Sequence, residues 1–298
     1  MIGDWLQPLC AVLMSVALAA IIGAALLQPI LQETATTALP CQITRIYRYA
    51  CTLLAIALLA YSCAGTVAMT DTGLIDLPAS LWLVVTQSHF GAMIWCGLVA
   101  SLLLIAALTL PVSISSQRGL LLVSVCGFAY SRAATGHAAD HGWVSLAMLV
   151  HTVHLLAAAT WVGSVGVGVL LTSRWQHWPA SQRRLFAHRV SEIATLAFVI
   201  VVSSGLLNIV RTLGNAQHPW DYAYTWILLA KLAVIIIAAG LGAWNRWYWL
   251  PRLDLEHTSN DQVIHDVRMF RIVLLLETVV LCTALLIAAK LGVTMPAQ

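Results

Sequence analysis

A succession of eight long apolar stretches confines this chain more than any other feature. They lie at roughly 6–31, 46–69, 84–110, 119–137, 144–172, 189–212, 223–248 and 268–291, and a bilayer crossing needs about 20 mostly apolar residues. Each is rich in Leu, Ala, Val and Ile with Gly and Ser interspersed. None shows the alternating pattern of a membrane β-barrel strand. Charged residues make up only 9% of the 298, against about 25% in a soluble domain. That scarcity excludes a soluble globular fold, intrinsic disorder, a nucleic-acid-binding domain and a disulfide-stapled secreted module. The expected fold class is all-α: a polytopic transmembrane helical bundle of about eight spans. It forms a single integral membrane domain over 1–298, with the lipid bilayer as its surroundings and no nucleic acid as partner.

The positions of the basic residues predict the orientation, because short cytoplasmic loops collect Lys and Arg. Eleven of the fifteen follow spans 1, 3, 5 and 7: Arg45, Arg48, Arg118, Arg174, Arg183, Arg184, Arg189, Arg246, Arg252, Arg268 and Arg271. The alternate connectors, 71–77, 137–143 and 213–222, hold Asp71, Asp76, Asp140 and Asp221 and neither Lys nor Arg. Both termini are then expected outside, on the periplasmic side. Trp82, Trp143, Trp220 and Trp226 fall near the outer boundary, and Trp175, Trp178, Trp244, Trp247 and Trp249 near the inner one, as an aromatic belt requires. The N-terminal Met1-Ile2-Gly3-Asp4 is acidic and no small-residue cleavage site follows, so the first stretch reads as a retained span. The polar connectors around 173–188 and 251–267 are too short to fold independently.

Seven cysteines are scattered singly, without a C-x-x-C pair, so neither a disulfide framework nor a thiolate site is indicated. The histidines are patterned differently. His89, His137, His141, His151, His154 and His218 map to the outer half; His177, His188, His257 and His265 map to the inner side. His137 and His141 flank Asp140 where span 4 emerges. His151 and His154 stand at i, i+3 on one face of span 5, roughly 10–15 Å below its outer end. Met93 lies one turn from His89, and Met148 one turn from His151. Imidazole with thioether is a ligand set suited to copper. Hydrogen bonding between helices is the plainer reading of each histidine taken singly, and packing of each methionine.

Arg132, Lys231 and Glu277 lie well inside spans, with Asn208 and Glu192 as weaker polar signals. An unpaired Arg or Lys at the centre of a span costs about 2.5–3.5 kcal/mol on an insertion scale. These residues are therefore expected to form ion pairs, Arg132 or Lys231 with Glu277, or to line a polar path. Glu192 reads as a helix N-terminal charge. Ala157, Ala158, Ala159, Gly163, Ser164, Gly166 and Gly168 make span 5 smooth enough for close approach by neighbours. It is expected to be central.

Several segments resemble the bacterial copper resistance protein D (CopD) family. They are Gly136-His137-Ala138; the run from His151 and His154 through Leu155, Ala157, Ala158 and Trp161 to Gly163; and Ser204-Gly205-Leu206-Leu207-Asn208. Tyr224 with Ile227-Leu228-Leu229-Ala230-Lys231-Leu232, Ala243-Trp244-Asn245-Arg246 and Phe270-Arg271 leading to Glu277 continue it, in order, over roughly 130–296. Over 1–110 the likeness is thin, carried by His89-Phe90-Gly91 and Trp95. The resemblance implies a bacterial inner-membrane protein that moves a copper ion from periplasm toward cytoplasm, beside a periplasmic CopC-like copper-binding protein. With it, the site reading becomes His89, His137, His141, His151 and His154 with Met93 and Met148 as metal ligands. Arg132, Lys231, Glu277 and Asn208 shape the polar path. No Walker-type Gly-x-x-x-x-Gly-Lys is present, and no enzymatic role is expected. A membrane protein holding haem b between two histidines from different helices is the alternative. A scaffold in which the histidines only hydrogen-bond is a third reading, and a copper-dependent oxidoreductase a fourth.

Overall fold

The computed structural model describes residues 3–295 except 35–38, 74, 112, 137–138, 140–141, 215–216 and 255–259; the described residues are mainly helical and contain no strand. In chain order the helices are α1 (Gly3–Thr34), α2 (Leu39–Thr70), α3 (Leu77–Gln87), α4 (His89–Thr109), α5 (Ile114–Ala134), α6 (Leu146–Leu171), α7 (Ala180–Leu213), α8 (Ala223–Trp244), α9 (Leu250–Asp254) and α10 (Asn260–Gly292). Among the described residues, seven helical segments are long and apolar enough to cross a membrane: α1, α2, α4, α6, α7, α10 and the run Ala223–Leu253, which takes in α8 and most of α9. Shorter in apolar content but as long as α4, α5 packs between α4 and α6. The chain is an all-α polytopic helical bundle.

Inside the bundle, α6 is the hub, touching α1, α5, α7 and α10, while α8 packs on α10. Of the most apolar stretch of α1, and equally of α6, 61% is buried within the protein, against 11% for α8. The small residues of α6 make this possible. A Cβ on Gly163 would run into the backbone of Ala19 and Gly23, and one on Gly23 would run into the backbone of Gly163. Glycine at both crossing points lets α1 and α6 meet backbone to backbone.

Three local features depart from the sequence expectation. The third stretch is broken at Ser88, whose Oγ donates to the Val84 carbonyl (2.6 Å) and accepts from Gly91 N–H (3.0 Å). That side chain ends α3 and caps α4, as serine does when it competes with the helix ladder. Helix α7 begins at Ala180, not near 189. Its extra turns bury Ala187 and pack Phe186 against Trp175 and Trp178, and Glu192 consequently sits inside the helix, paired with Arg189 at 3.0 Å. Trp175, Trp178 and Trp249 do not face lipid as belt residues. They are buried: Trp175, edge-on to Phe270 at 5.3 Å, and Trp178 at the 3₁₀ turn Thr172–His177, and Trp249 in the π-helical turn Asn245–Trp249. Trp82, Trp143, Trp220, Trp226, Trp244 and Trp247 are exposed as a belt requires.

Candidate functional site

Two cavities lie end to end along α6. The upper one, toward the end where α5 stops and α6 begins, has a volume of about 500 Å³ and is walled by α1, α5, α6, α7, α8 and α10, with Tyr61 from α2. Most of its wall is aliphatic. Its polar side chains include Arg132 from α5, His151 and His154 from α6, Asn208 and Arg211 from α7, and Lys231 from α8. Five residues singled out by sequence thus converge, and Arg211 joins them. The signal for Arg211 was present: it is one of four basic residues left over when the eleven that the sequence assigns to cytoplasmic loops are set aside.

His151 and His154 present near-parallel rings, 6.4 Å between centroids and 17° between planes. His154 is buried, with Nδ1 at 3.0 Å from Ser204 Oγ. Ser204 spends its own proton on the Ile200 carbonyl, at 2.5 Å. The hydroxyl therefore accepts from Nδ1–H, and the tautomer that results leaves Nε2 with its lone pair. An orienting hydrogen bond on one ring nitrogen is what a metal-ligating histidine needs. Next to this pair, Arg132 lies 4.4 Å from the centre of the Tyr61 ring and donates to Thr135 Oγ1 at 2.8 Å. Gln7 reaches the Tyr61 hydroxyl at 3.4 Å. The Asn208 amide oxygen is buried with no hydrogen-bond partner among the described residues.

Trp161 separates this cavity from the lower one, since its side chain lines both. At 1.5 Å rise per residue it stands roughly 10 Å below His154 on the same helix. Its indole N–H donates to Glu277 Oε1 at 2.9 Å, and its ring meets Phe198 edge-on at 5.2 Å. The lower cavity, about 160 Å³, is lined by Glu277, Ser191, Thr195, Asn245 and Arg246 among apolar residues. Arg246 donates to Ser191 Oγ at 2.9 Å. The buried Glu277 carboxylate is thus hydrogen-bonded to Trp161 across the partition, and Gly242 lets it approach α8.

The remaining predicted ligands gather elsewhere. Met93 and Met148, 8% and 2% exposed, form an apolar cluster with Ala133 and Ala134 where α4, α5 and α6 meet. His89 is tied to the same corner: Nε2 lies 3.0 Å from the Ala134 carbonyl and its ring 5.0 Å from that of Trp143. Nδ1 of His89 is buried without a partner among the described residues. His137, Asp140 and His141 lie outside the described residues. Among the described residues no three His, Cys, Asp or Glu side chains converge into a metal-binding group, and all seven cysteines are free.

A polytopic helical membrane protein with a histidine-bearing polar cavity in its interior is the class this architecture defines. Comparison with known proteins narrows it. The family model "Copper resistance protein D" matches residues 184–291, and "Copper resistance protein D-like, N-terminal domain" matches 1–146. The chain belongs to the copper resistance protein D family, and the likeness extends through the N-terminal spans, where few residues of the sequence carry it. It is 32% identical over 126 residues to the copper transport protein CutJ of Bacillus subtilis, covering 41% of this chain and 23% of that protein. It is 29% identical over 193 residues to the inner membrane protein YebZ of Escherichia coli, covering 62% of this chain and 64% of that one. In both cases the match spans less than two thirds of the relative. No solved structure matches.

Proposed function

We propose that this protein is a copper permease of the bacterial inner membrane, taking copper from the periplasm into its upper cavity and passing it toward the cytoplasm. The observation that carries the reading is the His151/His154 pair, with His154 Nδ1 engaged by Ser204 so that Nε2 is left for a soft metal ion. His89, Met93 and Met148 make up an outer subsite at the α4–α5–α6 corner, where a CopC-like periplasmic protein would deliver the ion; His137 and His141, outside the described residues, are proposed as further ligands on the ground of sequence alone. From the histidine pair the ion moves past Trp161 into the lower cavity, so the Trp161–Glu277 hydrogen bond forms the barrier between the two. The basic residues assigned by sequence to the lower end orient the bundle, and a histidine-bearing cavity toward the opposite, outer end supports import. The name of the CutJ relative supports copper as the cargo, and that of YebZ supports the membrane.

Copper uptake into proteoliposomes tests this. Wild-type protein should accumulate copper, and the His151→Ala/His154→Ala double variant should lose most of that flux. Equal uptake by the two proteins would defeat the reading, as would a purified wild type that is red, with a Soret band, and carries no copper.

A further inference from the structure

Of the fifteen basic residues, eleven are assigned by sequence to the lower end, which leaves Arg132, Arg211, Lys231 and Lys290. Lys290 lies over the ring of Trp5, 4.8 Å from its centre. The other three, from three different helices, all line the upper cavity. None of the described residues lining that cavity is Asp or Glu. The one buried carboxylate nearby, Glu277, lines the lower cavity and is held by Trp161 on the far side of the partition. Three basic side chains therefore share the wall of one cavity, where holding them charged together without a counter-charge is costly. Charged side chains at membrane depth pair with a counter-charge or face a polar path.

A cationic cargo makes the imbalance worse. Neutral imidazoles supply lone pairs to copper and no negative charge, so an incoming copper ion meets net repulsion from Arg132, Arg211 and Lys231. A bound anion removes it. Arg132 is already anchored, donating to Thr135 and stacking on Tyr61, so Arg211 and Lys231 are the cations placed to hold an anion directly, with Arg132 behind them. The rest of the wall is mainly aliphatic. A predominantly apolar wall favours a small, weakly hydrated anion over a phosphate or sulfate, which is more strongly hydrated and carries more charge.

We propose that the upper cavity is an anion site, in which Arg211 and Lys231, backed by Arg132, hold a small monovalent anion of the halide class beside the histidine pair. The anion offsets the charge of the metal ion as it passes. The site itself rests on the arrangement of charges; only its part in transit rests on the copper reading above.

Chloride is the probe. Metal-free protein in detergent, dialysed to equilibrium against radiolabelled chloride with gluconate as the background salt, should bind it saturably. Arg211→Gln and Lys231→Gln should each weaken binding about tenfold or more, the loss of one charge-assisted contact. Lys231→Arg, which keeps the charge, should retain binding and shows that a loss in Lys231→Gln is not misfolding. Absence of saturable binding by wild type, or unchanged binding in an Arg211→Gln/Lys231→Gln double variant, overturns the proposal. Copper uptake into vesicles, run in chloride and then in gluconate, separates the two readings. No uptake in either salt with chloride binding intact defeats the copper reading and leaves the anion site standing. Uptake without chloride binding defeats the anion site alone.

Discussion

Ser204 governs what His154 can offer a metal ion. With its own proton directed to the Ile200 carbonyl, the hydroxyl accepts from Nδ1–H and fixes both tautomer and ring orientation. Ser204→Ala removes the acceptor and leaves the buried ring free to turn or to change tautomer. Copper affinity should then fall about 10–100-fold, the usual cost of losing an orienting partner, when measured by competition with a chelator; Ser204→Thr, which restores a hydroxyl, should recover most of it. Unchanged affinity in Ser204→Ala would show that His154 takes no part in ligation. The two histidines were legible in the sequence because i, i+3 spacing puts them on one helical face. Ser204 was visible there only as a letter in a resembling motif, since a contact fifty residues away depends on how α7 is laid against α6. Arg211 escaped for a different reason. A cation in the last turn of a helix has an ordinary explanation in the helix dipole, and only the cavity shows that it faces Arg132 and Lys231 across a common space.

Among the elements, α6 does most to organise the bundle, and its glycines show how. At Gly163 any side chain meets the backbone of α1, which has no rotamer to change. Gly163→Leu should therefore cost about 1–3 kcal/mol or more, the penalty of overpacking a filled interior, seen as a lowered midpoint of thermal unfolding in detergent. Gly166→Ala is the control, because its Cβ would meet the Thr278 methyl at 3.5 Å, an ordinary contact; a similar loss in both variants would count against the close α1–α6 crossing. The small-residue run in the sequence already marked this helix as central. The same reading missed where helices begin and end. Ser88 divides one apolar stretch into α3 and α4, and α7 starts nine residues early, because capping and aromatic burial act on polar-looking segments that hydropathy passes over.

For the whole molecule, eight apolar stretches and few charges were enough to give an all-α bundle, because lipid leaves a chain almost no other way to satisfy its backbone. The site was less legible. A sequence places His89, Met93, Met148, His151 and His154 at similar depth, and the helix arrangement then divides them. The methionines and His89 go to the α4–α5–α6 corner, and the histidine pair to the upper cavity. Depth follows from counting residues, but lateral separation follows only from which helices touch. Glu277 illustrates the same limit: a mid-span carboxylate suggested an ion pair, and its partner is the indole of Trp161, in the wall between two cavities. X-ray absorption at the copper edge, on protein loaded with Cu(I), examines the histidine pair itself. Imidazole nitrogen scattering should be present around the metal in wild type and should diminish in the His151→Ala/His154→Ala variant, together with the amount of copper retained. A copper environment identical in both proteins would contradict the assignment of the pair as ligands.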